Sequence, residues 1–291
     1  MIINIKFLSR IALSDVKEYS HKKFLYYEYL WKLNCTKNPA VIILFDFTSV
    51  LILFSVGTIS GFMNVIGGGG SSLTLPALIF LGLDSTMANG TNRIAVIVQS
   101  ISAIYAFKSE NHHQFGTSLK LSVMTLPGAI AGAVFSLSIS DALFEKILGI
   151  IMIGVIISML IPNPKTRSKE TPVKIPWTVH LSMFGIGFYG GFIQVGMGFM
   201  LMAVLLYLMN LNLVVVNMHK VFIVLILTIP ALFVFIFTGN VNWQLGITLG
   251  AGNAFGAWWA AKLSIRKGES FIKAFLIVAV FIMALKLLNI F

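Results

Sequence analysis

A glycine-rich interruption inside a hydrophobic segment occurs twice in this chain. The first copy is GFMNVIGGGG at residues 61–70, and the second is GFIQVGMGFM at residues 191–200. The copies lie 130 positions apart, with Asn64 of the first opposite Gln194 of the second. Unwound backbone is tolerated at membrane depth only where protein or a water-filled cavity surrounds it. Matched interruptions in two halves of a membrane chain therefore indicate a transporter's binding site.

The composition is that of a membrane protein. Hydrophobic residues make up 57% of the chain and charged residues 11%, and the mean hydropathy is +0.91. Soluble domains contain roughly 25% charged residues, and a spanning helix needs about 20 mostly apolar ones. The clearest spans are 40–63, 143–161, 222–238 and 271–285. We predict an all-α, multi-pass membrane protein with the lipid bilayer as a partner.

The net charge of +11 fits anchoring to an anionic membrane face. Most Lys and Arg residues lie in the first 40 positions and in a few loops, as positive-inside topology favours. No basic run alternates with aromatic residues in a soluble segment, so we predict no nucleic-acid binding. Cys35 is the only cysteine, so the chain has no intrachain disulfide and no thiolate metal cluster. We predict no metal and no cofactor.

Two polar regions divide the chain. Residues 1–40 form a basic N-terminal extension with interspersed aromatic residues. This extension is either an amphipathic segment on the membrane surface or a region without function. Residues 163–176 hold three prolines and a run of charges, which indicates a linker. It separates a first transmembrane repeat, 41–162, from a second, 177–291.

The same five helical elements are predicted in each half. In the first half they are 41–65, 71–82, 88–107, 117–139 and 143–162. In the second half they are 177–195, 198–210, 213–238, 243–263 and 270–289. The second element of each half is too short to cross about 30 Å of hydrocarbon. It is either a re-entrant helix or part of a broken span. Re-entrant helices would make the halves an inverted repeat, which we favour because the basic loops 163–176 and 262–273 then share one face.

Small residues recur at helical spacing on two further elements. Gly128 and Gly132 lie four residues apart, as do Gly252 and Gly256. Such pairs allow helices to approach closely in lipid. We predict that these glycines serve helix packing.

Ionisable residues within membrane segments are expensive and point to function. Arg93, His219 and Lys220 are such residues, and no acidic residue is near them in sequence. Their charge favours an anionic substrate, although Arg93 and Lys220 could instead reach the interface from a helix end. His219 could bind substrate, bond a carbonyl or carry a proton. With the amides and the exposed backbone of the two interruptions, the candidate substrate-binding residues are Asn64, Gly67, Gly68, Gly69, Gly70, Ser71, Thr91, Asn92, Arg93, Gln194, Gly196, Gly198, His219 and Lys220.

Nothing in the sequence indicates catalysis. No Ser-His-Asp or paired-carboxylate arrangement is apparent, and Gly67–Gly70 lacks the lysine spacing of a phosphate-binding loop. We predict that the protein is not an enzyme.

Two motifs after the first interruption carry a family resemblance. Leu75-Pro76-Ala77-Leu78, followed by Ala88-Asn89-Gly90-Thr91-Asn92, resembles the signature of the sulfite exporter TauE/SafE family over residues 41–290. The resemblance implies a two-half secondary transporter of sulfur-containing anions in the bacterial inner membrane, with protons as a candidate coupling ion. The second half departs from the pattern at Asn217-Met218-His219-Lys220. An anion channel and a transporter of a non-sulfur organic anion therefore stay open as alternatives, and the oligomeric state stays open as well.

Overall fold

The computed structural model describes residues 47–111, 115–159, 176–209 and 211–287. All regular structure in these ranges is helical, which confirms the predicted all-α fold. The helices are α1 Phe47–Ile66, α2 Ser71–Phe80, α3 Ser85–Ser109, α4 Phe115–Leu137, α5 Asp141–Met159, α6 Trp177–Phe192, α7 Met197–Ala203 with a π-helical continuation Val204–Leu208, α8 Leu213–Phe237 and α9 Trp243–Leu287. The predicted extension 1–40 and nearly all of the linker 163–176 lie outside the described residues.

The two short elements are present where the sequence predicts them. Helix α2 has 10 residues, and α7 with its π-helical continuation runs from Met197 to Leu208. Both follow directly on a glycine interruption that ends the preceding helix. At 1.5 Å per residue, neither crosses a bilayer by itself.

The end of the chain contains two helices, as predicted, but the segment between them is shorter than predicted. We expected separate helices at 243–263 and 270–289 with a basic loop at 262–273. The structure has two helical stretches within α9 that meet at a kink, where Gly268 has φ 69° and ψ −162°, and this kink takes the place of the predicted basic loop. Lys, Leu, Arg and Glu are good helix formers, so the basic segment itself is helical. One glycine in the left-handed region is enough to bend the path.

The outer surface suits a hydrocarbon environment. Three described helical segments, Ser49–Ile66, Gly116–Leu137 and Leu213–Phe237, are long and apolar enough to cross a membrane. Large apolar side chains point outward, including Phe80 and Phe237. Exposed apolar surface on this scale marks contact with lipid.

Two helix pairs pack with their backbones in close contact. Helix α1 packs on α9, and α4 packs on α6. A Cβ atom added to Gly256 would lie 1.9 Å from the carbonyl oxygen of Thr58, and one added to Gly132 would lie 1.9 Å from that of Phe188. No side chain fits at such distances. The prediction that these glycines serve helix packing is confirmed.

Helices α3 and α8 lie between these pairs. Helix α3 contacts α9 and α8, and α8 contacts α4. Both begin with the same type of cap: the side chain of Asp84 accepts from the amide of Met87 at 2.6 Å, and that of Asn212 accepts from Val215 at 2.9 Å. Side-chain acceptors at this position satisfy helix N-terminal amides. The caps fix where the buried polar residues of each helix begin.

Candidate functional site

The first interruption turns the chain through glycine. The amides of Gly67 and Gly68 both donate to the carbonyl oxygen of Met63, at 2.7 and 3.1 Å, and Gly68 has φ 88°. This is a glycine helix end of the kind that left-handed geometry permits. Helix α2 then starts at Ser71 in a new direction.

The second interruption uses a different set of residues. Gln194 has φ 63° and Gly196 has φ 72°. The Tyr189 hydroxyl donates to the carbonyl oxygen of Val195, which satisfies one backbone group in the unwound segment. A positive φ is uncommon for a residue with a side chain. The chain therefore holds the Gln194 amide in place at a conformational cost.

The two interruptions touch each other at the centre of the fold. A Cβ atom on Gly198 would lie 2.3 Å from the Cα atom of Gly68, and one on Gly68 would lie 2.4 Å from the carbonyl carbon of Gly198. Only glycine on both sides permits this contact. The matched sequence copies are thus neighbours in space.

A cavity lies beside the contact between Gly68 and Gly198, which we call the crossing of the two interruptions. It is lined by residues from both interruptions and from α3 and α8: Asn64, Ser71, Val96, Gln99, Ser100, Gln194, Met197, Gly198, Lys220, Val221 and Val224. The space open to water-sized molecules is about 10 Å³, roughly what one water molecule needs. Five predicted site residues line it: Asn64, Ser71, Gln194, Gly198 and Lys220.

Lys220 is the charged side chain in this wall. It is 2% exposed, and its Nζ donates to the carbonyl oxygen of Val65 at 2.7 Å and to Oδ1 of Asn217 at 2.8 Å. Its third neighbour is the sulfur of Met202, at 3.6 Å. A thioether is a weak acceptor. Among the described residues no carboxylate pairs with Lys220, so its positive charge is available to an anion.

Gln99 and Ser100 line the cavity although the sequence analysis did not select them. Both are buried, and Gln99 Oε1 and Ser100 Oγ have no hydrogen-bond partner among the described residues. They follow Val96 by three and four positions, so all three share one face of α3. The signal in the sequence was that these two polar residues follow the predicted residues Asn92 and Arg93 by seven positions, or two helical turns.

Arg93 lies outside the cavity wall. Its guanidinium donates to the carbonyl oxygen of Gly190 at 3.2 Å and to that of Gly191, and it lies 4.7 Å from the centre of the Phe235 ring. These carbonyls belong to the last turn of α6. A cation at a helix C-terminus satisfies free carbonyls and opposes the helix dipole. Arg93 therefore binds the end of α6, directly before the second interruption.

His219, Thr91 and Asn92 also have protein partners away from the cavity. Nδ1 of His219 lies 2.8 Å from the Ser118 hydroxyl. Oγ1 of Thr91 accepts from the amide of Asn242 at 2.9 Å, and Oδ1 of Asn92 accepts from the Thr74 hydroxyl at 2.7 Å. These three predicted residues connect helices around the site.

The remaining predicted glycines shape the interruptions from outside the cavity wall. Gly69 packs against the Phe199 ring, where an added Cβ would lie 2.7 Å from a ring carbon. Gly70 lies against the backbone of Ser60, where an added Cβ would be 2.1 Å from the carbonyl oxygen. Gly67 and Gly196 form the turns described above.

The chain matches proteins of one family. The family model described as "Sulfite exporter TauE/SafE" matches residues 53–287. A probable membrane transporter protein, ORF9, from Sinorhizobium sp is 28% identical over 83% of this chain and 93% of its own length.

Two further relatives agree with that match. A probable membrane transporter protein of Haemophilus influenzae is 26% identical over 81% of this chain and 93% of its own length. The probable membrane transporter protein YfcA of Escherichia coli is 27% identical over 81% of this chain and 88% of its own length. No solved structure matches the chain.

The matched region begins in α1 and ends with α9, so it includes both interruptions and the cavity. The protein is therefore a multi-pass membrane transporter and not an enzyme. It belongs to the sulfite exporter TauE/SafE family.

Proposed function

We propose that this protein is a secondary transporter of small sulfur-containing anions such as sulfite or a sulfonate. The observation that carries the proposal is Lys220, a buried cation in the wall of a cavity where two glycine interruptions meet. A buried charge without a charged partner is costly. An anion that enters this cavity supplies the missing partner.

The neutral wall suits the oxygens of such an anion. Ser71, Ser100 and the amides of Asn64 and Gln99 surround the same small space as Lys220. Hydroxyls and amides can donate to several oxygens of one small anion. The family name, sulfite exporter, supports a sulfur-containing substrate.

The small size of the cavity supports a transporter over a channel. A channel needs a continuous path for its ion, whereas the space here accommodates about one water molecule. Because this space is smaller than an oxyanion, substrate enters only when one half moves against the other, as in alternating access.

We further propose that the halves are an inverted repeat with the site on its axis. The packing pairs support this: α1 lies on α9 as α6 lies on α4, and α3 and α8 meet between them. The N-caps Asp84 and Asn212 lie 128 positions apart. Aligned on these caps, Asn92 is opposite Lys220.

Sulfite flux into proteoliposomes tests the proposed function. We expect saturable flux that responds to an imposed proton gradient, with a sulfonate competing better than a carboxylate. Lys220→Met should abolish saturable flux, because it removes the cavity's charge at similar side-chain length. Lys262→Met is the matched control, since Lys262 lies over the Trp258 ring, 4.1 Å from its centre, and not in the cavity wall.

Two outcomes would contradict the proposal. If a carboxylate but no sulfur anion moves, the substrate class is wrong. If Lys220→Met remains folded by size-exclusion chromatography and transports like Lys262→Met, the site is wrong. Flux that saturates but ignores the gradient would remove protons as the coupling ion.

A further inference from the structure

Three neutral side chains in the cavity wall have hydrogen-bonding atoms without partners. Gln99, Ser100 and Gln194 are 2%, 0% and 3% exposed. Gln99 Oε1, Ser100 Oγ and Gln194 Oε1 have no hydrogen-bond partner among the described residues. Buried polar atoms are nearly always paired. Three such atoms around one cavity indicate a ligand that pairs with them.

The orientation of Gln194 follows from its neighbour. The Thr228 hydroxyl donates to the carbonyl oxygen of Val224 at 2.6 Å, so its oxygen is left to accept. The Gln194 side chain lies 2.8 Å from that oxygen. The contacting atom must then be the amide nitrogen, since an amide oxygen cannot donate. Gln194 therefore offers an acceptor, Oε1, to whatever occupies the cavity.

The charge of the wall is a single positive one. Lys220 is the one titratable side chain among the lining residues. These residues come from α1, α2, α3 and α8, and from the second interruption with the start of α7. A singly charged anion is neutralised by this cation. A doubly charged anion would bring one uncompensated charge into a site removed from water, which is strongly unfavourable.

We propose that this cavity selects a singly charged oxyanion that carries its own proton donor, such as hydrogensulfite, over doubly charged anions such as sulfate. Lys220 contacts the negative oxygens, and Gln194 Oε1 accepts the ligand's acidic hydrogen. The Ser100 hydroxyl and the amide nitrogen of Gln99 donate to the remaining oxygens. This inference rests on the proposed function, because it assigns the substrate form at the same site.

Competition at constant ionic strength tests the charge rule. Uptake of labelled sulfite into proteoliposomes is measured against methanesulfonate, which is singly charged, and sulfate, which is doubly charged. We expect methanesulfonate to compete at least about tenfold better than sulfate, because sulfate brings a second charge that the wall does not neutralise. Equal or better competition by sulfate would overturn the proposal.

The pH dependence tests the proton donor. Raising the pH removes the last proton of hydrogensulfite, so the apparent KM for total sulfite should rise. The inhibition constant of methanesulfonate, which has no such proton, should stay constant over the same range. If both constants rise together, a group on the protein is responsible and the assignment of the ligand proton is wrong.

Cavity variants test the named residues. Ser100→Ala and Gln99→Met should each raise the KM for sulfite about tenfold with kcat little changed. Gln194→Asn, which tolerates positive φ, should reduce the preference for hydrogensulfite over methanesulfonate. Ser264→Ala is the matched control, because Ser264 is also a buried hydroxyl without a described partner but lies outside the wall. Cavity variants that behave like this control would overturn the assignment.

A second readout separates this inference from the proposed function. If the unaltered protein moves neither sulfite nor methanesulfonate, the proposed function has failed. Thermal stabilisation of the purified protein by formate, methanesulfonate and sulfate then tests the charge rule alone. Greater stabilisation by the two singly charged anions supports the rule. Stabilisation by sulfate to the same extent, or by none of the anions, overturns it.

Discussion

Arg93 and Lys220 are two buried cations with different surroundings. Arg93 bonds the carbonyl oxygens of Gly190 and Gly191 and packs on Phe235. Lys220 bonds one carbonyl oxygen, that of Val65, and also lines the cavity. Each cation thus satisfies the end of a helix that a glycine interruption cuts short. Sequence position alone made them equivalent candidates for substrate binding.

Replacement of Arg93 by Gln should affect stability more than substrate affinity. The change removes charge-assisted hydrogen bonds to the end of α6, which corresponds to a loss of about 3 kcal/mol. We expect a clearly lower thermal unfolding temperature in detergent, with the KM of the residual flux within about twofold of the original.

Arg266→Gln is the control for this variant. Arg266 pairs with Glu110 at 3.1 Å, and its side chain is 64% exposed, so its loss should change stability little. An Arg93→Gln protein that unfolds at the original temperature but no longer binds anion would return Arg93 to the substrate site.

At the scale of elements, glycines decide how closely helices pack. Gly187 and Gly191 of α6 face the carbonyl oxygens of Thr125 and Ala129 of α4. Close packing of this kind stabilises helix pairs in lipid, where apolar burial supplies little driving force between helices. The two glycine interruptions therefore lie next to two tightly packed helix pairs, α1 with α9 and α4 with α6.

Gly187→Ala should destabilise the protein, whereas Gly185→Ala should not. An added Cβ at Gly187 would lie 2.1 Å from the carbonyl oxygen of Thr125, and nothing lies within 4 Å of one at Gly185. Overpacking costs about 1–3 kcal/mol, while alanine in an open helix position gains up to about 1 kcal/mol. Thermal unfolding of both purified variants measures the difference. Equal unfolding temperatures would show that this contact does not hold the helices together.

At the scale of the whole molecule, the contact between Gly68 and Gly198 joins the two interruptions. Each belongs to a different half of the chain, and the cavity lies beside their crossing. A movement of one half against the other must change this contact. In our proposal, transport therefore requires a change in the contact between Gly68 and Gly198.

Gly198→Ala should reduce sulfite flux at least about tenfold, because its Cβ would lie 2.3 Å from the Cα atom of Gly68 and force the interruptions apart. Gly239→Ala is the control. Gly239 has φ 73° with open space around it, so alanine there costs only about 1–2 kcal/mol of backbone strain. Flux that survives in Gly198→Ala as in Gly239→Ala would contradict a role for the crossing.

The sequence by itself determined the membrane class, the helical fold, the interruptions and the family. Composition, apolar segment length and glycine position are local properties, so they can be read without coordinates. The tertiary structure decided which candidates share a cavity. It brought together the predicted residues Asn64, Ser71, Gln194, Gly198 and Lys220, added Gln99 and Ser100, and placed Arg93 against α6. Side-chain direction depends on how helices distant in the chain pack, and one sequence contains no record of that packing.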